Sequence, residues 1–387
     1  MIVGLDGKSL MARKTGIGVY TDRLLSGLSE YDDLALKCYL HLPSRQADQG
    51  RKVLDDIART HPTVELVTRT FPRPKIQRLI WSYSDLMPIE AILGPVDLFH
   101  GTSFIMPPCR SAKGVLTIYD LTFMLFPAYH DRGMQAVTRH IRRYAGRSDC
   151  IIAISEHTKR DVMEHLRIPE ERIRVTMLAA DERYRVIDDA AATSAVLTKF
   201  GVDREYILYT GTLEPRKNIP ALIRAYAALK EEMAIPHRLV LAGGKGWLYD
   251  GIMESVRTLG LEKDVIFTGY VPDGEMPYLY NGAAVFAYPS FYEGFGLPPL
   301  EAMACGCPVV VSSSSSLPEV VGDAGLTVDP HRPEELAEAI GKVLTDGSLR
   351  SALREKGLRR AAAFSWKRCV AETLTIYQEL LGRGGRS

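Results

Sequence analysis

Short apolar runs recur along the whole chain at intervals that leave room for one helix between neighbouring runs. They occupy residues 2–6, 35–40, 64–67, 96–99, 115–119, 151–154, 173–177, 206–210, 239–242, 265–268, 284–288, 309–312 and 325–328. The runs are apolar throughout rather than alternating with polar residues, which is typical of strands that helices cover on both faces. The pattern predicts an α/β fold of doubly wound parallel sheets.

A polar segment rich in alanine and aspartate separates two sets of runs, and 387 residues suffice for two ordinary domains. We predict a Rossmann-like domain over residues 1–180, a linker over 181–205 and a second Rossmann-like domain over 206–365. The two domains would face each other across a cleft at the carboxyl ends of their strands. Apolar residues at helical spacing predict a final helix over 366–387 that packs back toward the first domain and frays at its end.

The charge balance excludes whole classes of partner, because 48 Lys and Arg residues stand against 47 Asp and Glu residues. We therefore expect no nucleic-acid partner and only local anion sites. The six cysteines form no C-x-x-C pair of zinc spacing, so reduced thiols are expected. The sequence shows neither a secretory signal nor a membrane-spanning apolar stretch, which predicts a cytoplasmic protein.

The segment 289–313 is the richest in groups that could carry chemistry. Its loop and the helix that follows, with Pro298 and Pro299 in the first turn, offer N–H groups to an anion. Glu293 on the loop and Glu301 on the helix, separated by seven residues, would reach different parts of one elongated ligand. One would accept sugar hydroxyls and the other ribose hydroxyls. The alternative for Glu301 is that it only complements the helix dipole.

A basic pair precedes another predicted helix in the second half. Arg216 and Lys217 stand at the positive end of the helix dipole, which would repel them unless an anion is bound. A diphosphate would offset that repulsion, and a solvated basic turn is the alternative. We expect Asn218 to cap the helix.

Four positions in the first half are weaker candidates. Gly16 and Gly18 open a helix and permit close backbone approach to a phosphate or sugar, or they only shape the turn. Asp120 ends a strand, where it could orient a hydroxyl, accept its proton, or cap the next segment. His100 also ends a strand and is either a site residue or a structural histidine. No D-x-D triplet or other metal or nucleophile motif is present, which predicts metal-free, cation-stabilised chemistry.

Four motifs of the second half resemble the retaining glycosyltransferases of family 4, which have the GT-B fold of two facing Rossmann-like domains. The motifs are GTLEPRKN at 211–218, LVLAGGKGW at 239–247, FTGYVP at 267–272 and EGFGLPPLEAMACGCPVV at 293–310. The first half is similar through TGIGVY and YDLTFMLFP.

The resemblance implies a role for each matched residue. Glu293 would contact the donor sugar and Glu301 the ribose, while Lys217 and Arg216 would neutralise the diphosphate leaving group in place of a metal. The other implied donor contacts are Gly16, Gly18, Gly211, Thr212, Gly243, Tyr270, Val271, Phe295, Gly296 and Leu297.

Two residues depart from the family pattern. Many relatives carry Arg where this chain has Thr212, so the second cationic role passes to Arg216. Many also carry His where this chain has Tyr119, so Asp120 becomes the catalytic candidate there. Tyr119 and His100 are left as candidates on the acceptor side.

The GTLEPRKN form resembles that of mannosyltransferases which build O-antigen and exopolysaccharide. This implies GDP-mannose as donor, a glycan or lipid-linked oligosaccharide as acceptor, and no cofactor. A UDP-sugar-dependent transferase, a nucleotide-sugar epimerase and a non-catalytic nucleotide-sugar binding subunit are the alternatives. Residues 139–147 and the region 73–81, with Lys75, Arg78 and Trp81, could form a basic and aromatic surface for the inner face of the membrane, or else a solvated helix face.

Overall fold

The chain, seen in a computed structural model that describes residues 1–11, 16–41, 47–69, 74–129, 132–246 and 249–382, divides into two compact units. The first unit holds Met1–Leu178 and the described residues from Trp366 onward, and the second holds Ala179–Ser365. Each unit is built around one parallel sheet.

The first sheet has seven strands in the order β3-β2-β1-β4-β5-β6-β7. The strands are β1 Ile2–Asp6, β2 Ala35–His41, β3 Glu65–Arg69, β4 Leu98–Gly101, β5 Lys113–Ile118, β6 Cys150–Ala153 and β7 Ile173–Val175. The helices between them are α1 Gly16–Leu28, α2 Ala47–Thr60, α3 Pro74–Tyr83, α4 Glu90–Leu93, α5 Thr122–Leu125, α6 Arg132–Arg147 and α7 Glu156–Asp161. Every position of β4 and β6 is buried, as their continuous apolar runs predict.

The second sheet has six strands in the order β10-β9-β8-β11-β12-β13. The strands are β8 Tyr206–Thr210, β9 Arg238–Ala242, β10 Val265–Gly269, β11 Val285–Tyr288, β12 Val309–Ser312 and β13 Leu326–Val328. The helices are α8 Ala190–Lys199, α9 Ile219–Met233, α10 Asp250–Thr258, α11 Met276–Gly282, α12 Leu297–Ala304, α13 Leu317–Val321, α14 Pro333–Thr345 and α15 Gly347–Ala362. The strand order reverses between β8 and β11, which is where open parallel sheets bind ligands.

Short tight turns complete the two units. Those of 3-10 type are Lys8–Met11, Pro127–Tyr129, Glu170–Arg172, Pro215–Lys217 and Gly322–Ala324, and Val162–Leu166 is a π-helical turn. The prediction of an α/β fold with two doubly wound parallel sheets is confirmed, and every apolar run forms a strand. The largest displacement is in β4, which was expected at 96–99 and lies two residues later, at Leu98–Gly101.

The segment predicted as a linker, residues 181–205, contains helix α8 and clusters with the second unit. Asp189 caps this helix by accepting a hydrogen bond from the Ala192 N–H at 2.8 Å. Helix α8 is not recognisable from its sequence, because none of its residues is buried and its apolar positions form no continuous face.

The final helix, α16 Trp366–Leu380, belongs to the first unit and packs against α1. Gly27 permits this contact, because a Cβ atom there would lie 2.6 Å from a methyl group of Val370. The expected fraying of the tail concerns residues 383–387, which lie outside the described part of the chain. In the described residues, no helix combines the length and apolar character needed to span a membrane. All six cysteines are free thiols.

Candidate functional site

Two glycines from different motifs allow close backbone contacts at the carboxyl edge of the second sheet. Gly211 follows β8 and donates its N–H to Ala242 O at 2.9 Å, and Gly243 follows β9 and donates to Gly269 O at 2.9 Å. A Cβ atom at Gly243 would lie 1.9 Å from the Gly211 carbonyl oxygen. Position 243 therefore requires glycine for packing alone, and donor contact at the two glycines stays a prediction.

A buried ion pair joins two loops that follow the adjacent strands β8 and β11. The Lys217 ammonium lies 2.6 Å from Glu293 Oε1 and 2.7 Å from the Tyr288 hydroxyl. Lys217 and Glu293 are each only 8% exposed. Ser290 donates a further hydrogen bond to Glu293 Oε1 at 2.5 Å. Burial excludes the solvated basic turn as the role of Lys217.

Arg216 links the same two loops through hydrogen bonds and an ion pair. Its guanidinium donates to Glu214 Oε1 at 2.7 Å and to the Tyr292 carbonyl at 2.5 Å, and it lies 3.2 Å from Glu293 Oε2. The side chain is 14% exposed. The sequence suggested that an external diphosphate must balance this basic pair, whereas here Glu293 and Glu214 supply negative charge from within the protein.

The protonation states follow from this cluster. Burial alone would raise the pKa of Glu293, but the charges of Lys217 and Arg216 outweigh it and lower the pKa to about 2. Burial lowers the pKa of Lys217, and the attraction of Glu293 opposes that effect. Glu293 is therefore ionised at neutral pH, and Lys217 and Arg216 stabilise its charge.

Helix α9 begins without the side-chain cap expected from Asn218. That residue has a left-handed backbone, with φ of 55°, and makes no side-chain hydrogen bond to the helix. Its amide donates instead to the Pro330 carbonyl at 2.6 Å. Pro220 in the first turn has no N–H to satisfy, which reduces the need for a cap.

Helix α12 starts as the sequence predicts, with both prolines in its first turn and Gly296 before it at φ of 116°. The loop that precedes it is held by two serines that the sequence analysis missed. Ser315 accepts from the Glu293 N–H at 2.8 Å, and Ser316 donates to the carbonyls of Glu293 and Phe295 at 2.9 and 2.6 Å. The Phe295 ring packs edge-on against Phe364, with centroids 5.8 Å apart.

Glu301 lies in the middle of α12, where burial raises its pKa to about 7. The Tyr280 hydroxyl donates to Glu301 Oε2 at 3.0 Å, and both this hydroxyl and that of Tyr184 lower the pKa in part. The effect of the helix dipole on a carboxylate is small beside that of burial, so the dipole role of Glu301 stays an alternative. Tyr280 and Tyr184 were not candidates from the sequence.

The remaining donor-site candidates of the second unit differ in exposure. Thr212 is exposed and Leu297 is half-buried. Tyr270 is 49% exposed, whereas Val271 beside it is only 2% exposed. An exposed ring can stack on a base, while Val271 could offer only its backbone. Trp247 of the LVLAGGKGW motif lies outside the described residues.

In the first unit, His100 and Tyr119 take interior positions. His100 is fully buried, with Nδ1 2.5 Å from the Tyr377 hydroxyl and Nε2 2.6 Å from Thr117 Oγ1, and burial lowers its pKa to about 3. Tyr119 is 7% exposed and donates to the Thr102 carbonyl at 2.8 Å. These contacts are those of structural residues of the first unit, and a role on the acceptor side stays a prediction for both.

Asp120 and the two N-terminal glycines, the other candidates of the first unit, differ in exposure. Asp120 accepts from the Thr122 N–H at 3.1 Å and from its hydroxyl at 2.8 Å, so it caps the next segment, as one of its two alternatives proposed. Gly16 is exposed at the first position of α1, and Gly18 is buried. The structure brings together Glu293, Lys217 and Arg216 in the second unit, and it describes Asp120 separately in the first.

Within the residues that the structure describes, no group of three or more His, Cys, Asp or Glu side chains is placed to hold a metal ion.

Two family models match the chain in succession. "Glycosyltransferase Family 4" matches residues 15–181, and "Glycosyl transferases group 1" matches residues 197–360. The O-antigen chain mannosyltransferase B of Escherichia coli is 35% identical over 374 residues, which cover 95% of this chain and 96% of that protein. The E. coli serotype-specific mannosyltransferase WbdA is 37% identical over 238 residues, which cover 61% of this chain but 29% of WbdA.

Solved structures share the fold at low sequence identity. Anabaena HepE in complex with UDP-glucose matches with a TM-score of 0.71 and 19% identity, over 97% of this chain and all of that one. The sucrose-phosphate synthase of Thermosynechococcus elongatus matches with a TM-score of 0.71 and 18% identity, over 99% of both chains.

Proposed function

The chain belongs to the family 4 and group 1 glycosyltransferases, and from that premise we propose a retaining, metal-independent transfer of mannose from GDP-mannose to a glycan or a lipid-linked saccharide. The observation that carries the choice of mannose is the 35% identity to an O-antigen chain mannosyltransferase, which extends over 95% of this chain.

The Lys217 ammonium is the group that the geometry favours as partner of the leaving diphosphate. An ammonium has three donors, and Lys217 uses two in the described part of the chain, on Tyr288 and Glu293. The third can reach a phosphate oxygen. A cation fixed in a buried site stabilises charge that develops as the sugar–phosphate bond breaks, because little solvent needs to reorganise.

Arg216 has a different part in this proposal from the one the resemblance implies. Its guanidinium already contacts the carboxylates of Glu214 and Glu293 and the Tyr292 carbonyl. We infer that Arg216 holds Glu293 and its loop in position, and that Lys217 carries the leaving-group charge.

Retention follows if the acceptor attacks from the face that the diphosphate leaves. The bond from the sugar C1 atom to the phosphate oxygen breaks, the bond from the acceptor oxygen to C1 forms, and a phosphate oxygen takes the acceptor proton. No protein base is needed, which agrees with the structural partners of Asp120. The anomeric configuration of the product, read by NMR coupling constants, tests this: an inverted product would refute it.

A thermal-shift panel tests donor and metal together. We expect GDP and GDP-mannose to raise Tm, and UDP, ADP, UDP-glucose and UDP-N-acetylglucosamine to leave it unchanged, with the same result after EDTA treatment. A rise in Tm with uridine nucleotides alone would refute GDP-mannose as the donor. Loss of the shift in EDTA would overturn metal independence, and no shift with any nucleotide would favour a non-catalytic role.

We also propose a peripheral contact with anionic lipid through the first unit. Three apolar side chains lie exposed close together in sequence, namely Leu79 at 57%, Tyr83 at 65% and Leu86 at 87%. The exposed Arg143 lies 3.1 Å from Asp85, and Asp85 stands between Tyr83 and Leu86 in the sequence. Apolar side chains beside a basic helix suit an anionic bilayer surface. The side chains of Lys75 and Arg78, which the sequence predicts on this surface, lie outside those that the structure describes. The prediction for Trp81 is wrong, because its ring is only 6% exposed and its N–H donates to the Met87 carbonyl at 3.0 Å.

Cosedimentation with vesicles tests the lipid contact. The wild type should sediment with phosphatidylglycerol-rich vesicles and not with pure phosphatidylcholine, and the pair Leu79→Ser and Leu86→Ser should abolish sedimentation. Leu259→Ser is the matched control, because Leu259 is 40% exposed in the second unit. Equal sedimentation of all three proteins would refute the proposed surface.

A further inference from the structure

Glu301 accepts a hydrogen bond from a buried tyrosine that is itself hydrogen-bonded to a threonine. Tyr280 on α11 is 1% exposed, and its hydroxyl lies 2.7 Å from Thr210 Oγ1, at the end of β8, as well as 3.0 Å from Glu301 Oε2. The Tyr184 ring lies 5.7 Å from the Tyr280 ring, and its hydroxyl also lowers the pKa of Glu301.

The direction of these hydrogen bonds is set by the carboxylate. An ionised carboxylate only accepts hydrogen bonds, so the single proton of the Tyr280 hydroxyl must point to Glu301. Thr210 must then donate its own proton to the Tyr280 oxygen. A line of hydroxyls therefore runs from the carboxyl end of β8 to Glu301, and it can exist in this form only while Glu301 is charged.

We propose that Tyr280, supported by Thr210 and assisted by Tyr184, is a positioning residue that keeps Glu301 ionised and oriented, and that donor binding thereby depends on pH near neutrality. The inference rests on the proposed function, in which ribose hydroxyls donate to Glu301. Protonation of Glu301 removes acceptor capacity, so donor affinity falls as pH falls through the pKa of this group.

Other charged groups face Glu301 and set the background of this titration. Asp181 and Asp273 raise its pKa by repulsion. Arg183 lies 2.9 Å from Asp181 and 3.8 Å from Asp273, so it offsets part of that repulsion. These groups stay in place when the Tyr280 hydroxyl is removed, and the change then reports on the hydroxyl alone.

The test is GDP affinity, measured by calorimetry from pH 6 to pH 9, in wild type and in Tyr280→Phe. With a Glu301 pKa of about 7 in wild type, apparent Kd should double at pH 7 relative to its value at high pH. Loss of one hydrogen bond to a charged group raises a pKa by about one. GDP should then bind about fivefold more weakly to Tyr280→Phe at pH 7 and almost normally at pH 9.

Two further variants separate positioning from a general structural effect. Thr210→Val removes the donor to Tyr280 and should move the pH midpoint in the same direction by a smaller amount. Tyr206→Phe is the matched control, because this tyrosine is 1% exposed and donates to the Leu279 carbonyl at 2.7 Å, also on α11. It should leave the midpoint unchanged. With GDP-mannose as substrate, Tyr280→Phe should raise KM for the donor more than it lowers kcat.

The outcomes distinguish this inference from the proposed function. If wild type binds neither GDP nor UDP at any pH, the proposed function fails and this inference with it. If wild type binds GDP with no pH dependence between 6 and 9, or if Tyr206→Phe moves the midpoint as far as Tyr280→Phe, only the positioning role is overturned. If UDP binds in place of GDP, the same pH series with UDP applies unchanged.

Discussion

Replacing Lys217 with methionine removes the ammonium that contacts Glu293 and Tyr288 and keeps most of the side-chain volume. Two unit charges about 4 Å apart at an effective dielectric constant of about 20 interact by about 4 kcal/mol. The phosphate gains less than one full charge in the transition state, so the rate of sugar–phosphate cleavage should fall about 10²- to 10³-fold.

The same substitution should destabilise the protein, and that effect must be separated from catalysis. Removing one partner of a buried ion pair costs about 3–5 kcal/mol when the other charge is left alone. Glu293 keeps Arg216 at 3.2 Å and Ser290 at 2.5 Å, so we expect about 2 kcal/mol for Lys217→Met. Adding Glu293→Gln removes the remaining charge and should restore most of the loss, since neither charge then stays buried.

The assay combines slow release of GDP from GDP-mannose, which needs no acceptor, with urea unfolding of the same preparations. Lys217→Met should lose both stability and turnover, whereas the double variant should regain stability and stay inactive. Wild-type release of GDP by a folded Lys217→Met protein would refute the leaving-group role. Recovery of turnover in the double variant would show that folding, and not the cation, had limited the single variant.

Three further predictions concern other residues. The pKa of Glu293 is about 2 in the folded protein and 4.5 ordinarily, so its ionisation contributes about 3 kcal/mol to the free energy of unfolding above pH 4.5. This contribution is lost as pH falls toward 2. The free energy of unfolding should therefore fall less steeply below pH 5 in Glu293→Gln than in wild type. Gly243→Ala should cost at least about 3 kcal/mol in urea unfolding, because its Cβ meets the Gly211 carbonyl, while Gly244→Ala, with no atom within 4 Å, should be nearly neutral. Asp120→Asn keeps an oxygen for the Thr122 N–H, so unchanged Tm with unchanged kcat is expected; a large loss of kcat at constant Tm would assign Asp120 to catalysis instead.

The fold was accessible from the sequence because buried parallel strands leave a local signal. The runs at 206–210 and 309–312 coincide with β8 and β12, where every residue is buried. Helix α8 left no such signal, since it has no buried residue. A helix that is stabilised by its cap and by contact along one side cannot be recognised by apolar periodicity.

The site was accessible only in part, because its decisive contacts are not local. The motifs indicated Glu293 and Lys217 separately, but their pairing across 76 positions depends on β8 lying beside β11. His100 and Tyr377 are 277 positions apart, and only α16 shows that His100 is enclosed. Tyr280 lies on a helix outside every recognised motif, and its role becomes visible only through the hydroxyl contacts with Thr210 and Glu301.

The contacts of Arg216 bear on whether this residue can take the cationic role that Thr212 cannot fill. If Arg216 replaced the arginine that the family resemblance implies at position 212, its guanidinium would have to leave Glu214 and Glu293 to reach a phosphate. The buried Glu293 carboxylate would then lose one of its two cationic partners, which is costly where little solvent is present to replace that partner. We therefore expect the active site to rely on the single buried ammonium of Lys217, with Arg216 keeping Glu293 charged beside it. Thr212→Arg tests this reasoning directly: an added cation at that exposed position should tighten GDP binding and partly rescue Lys217→Met, and it should do neither if Arg216 already serves the diphosphate.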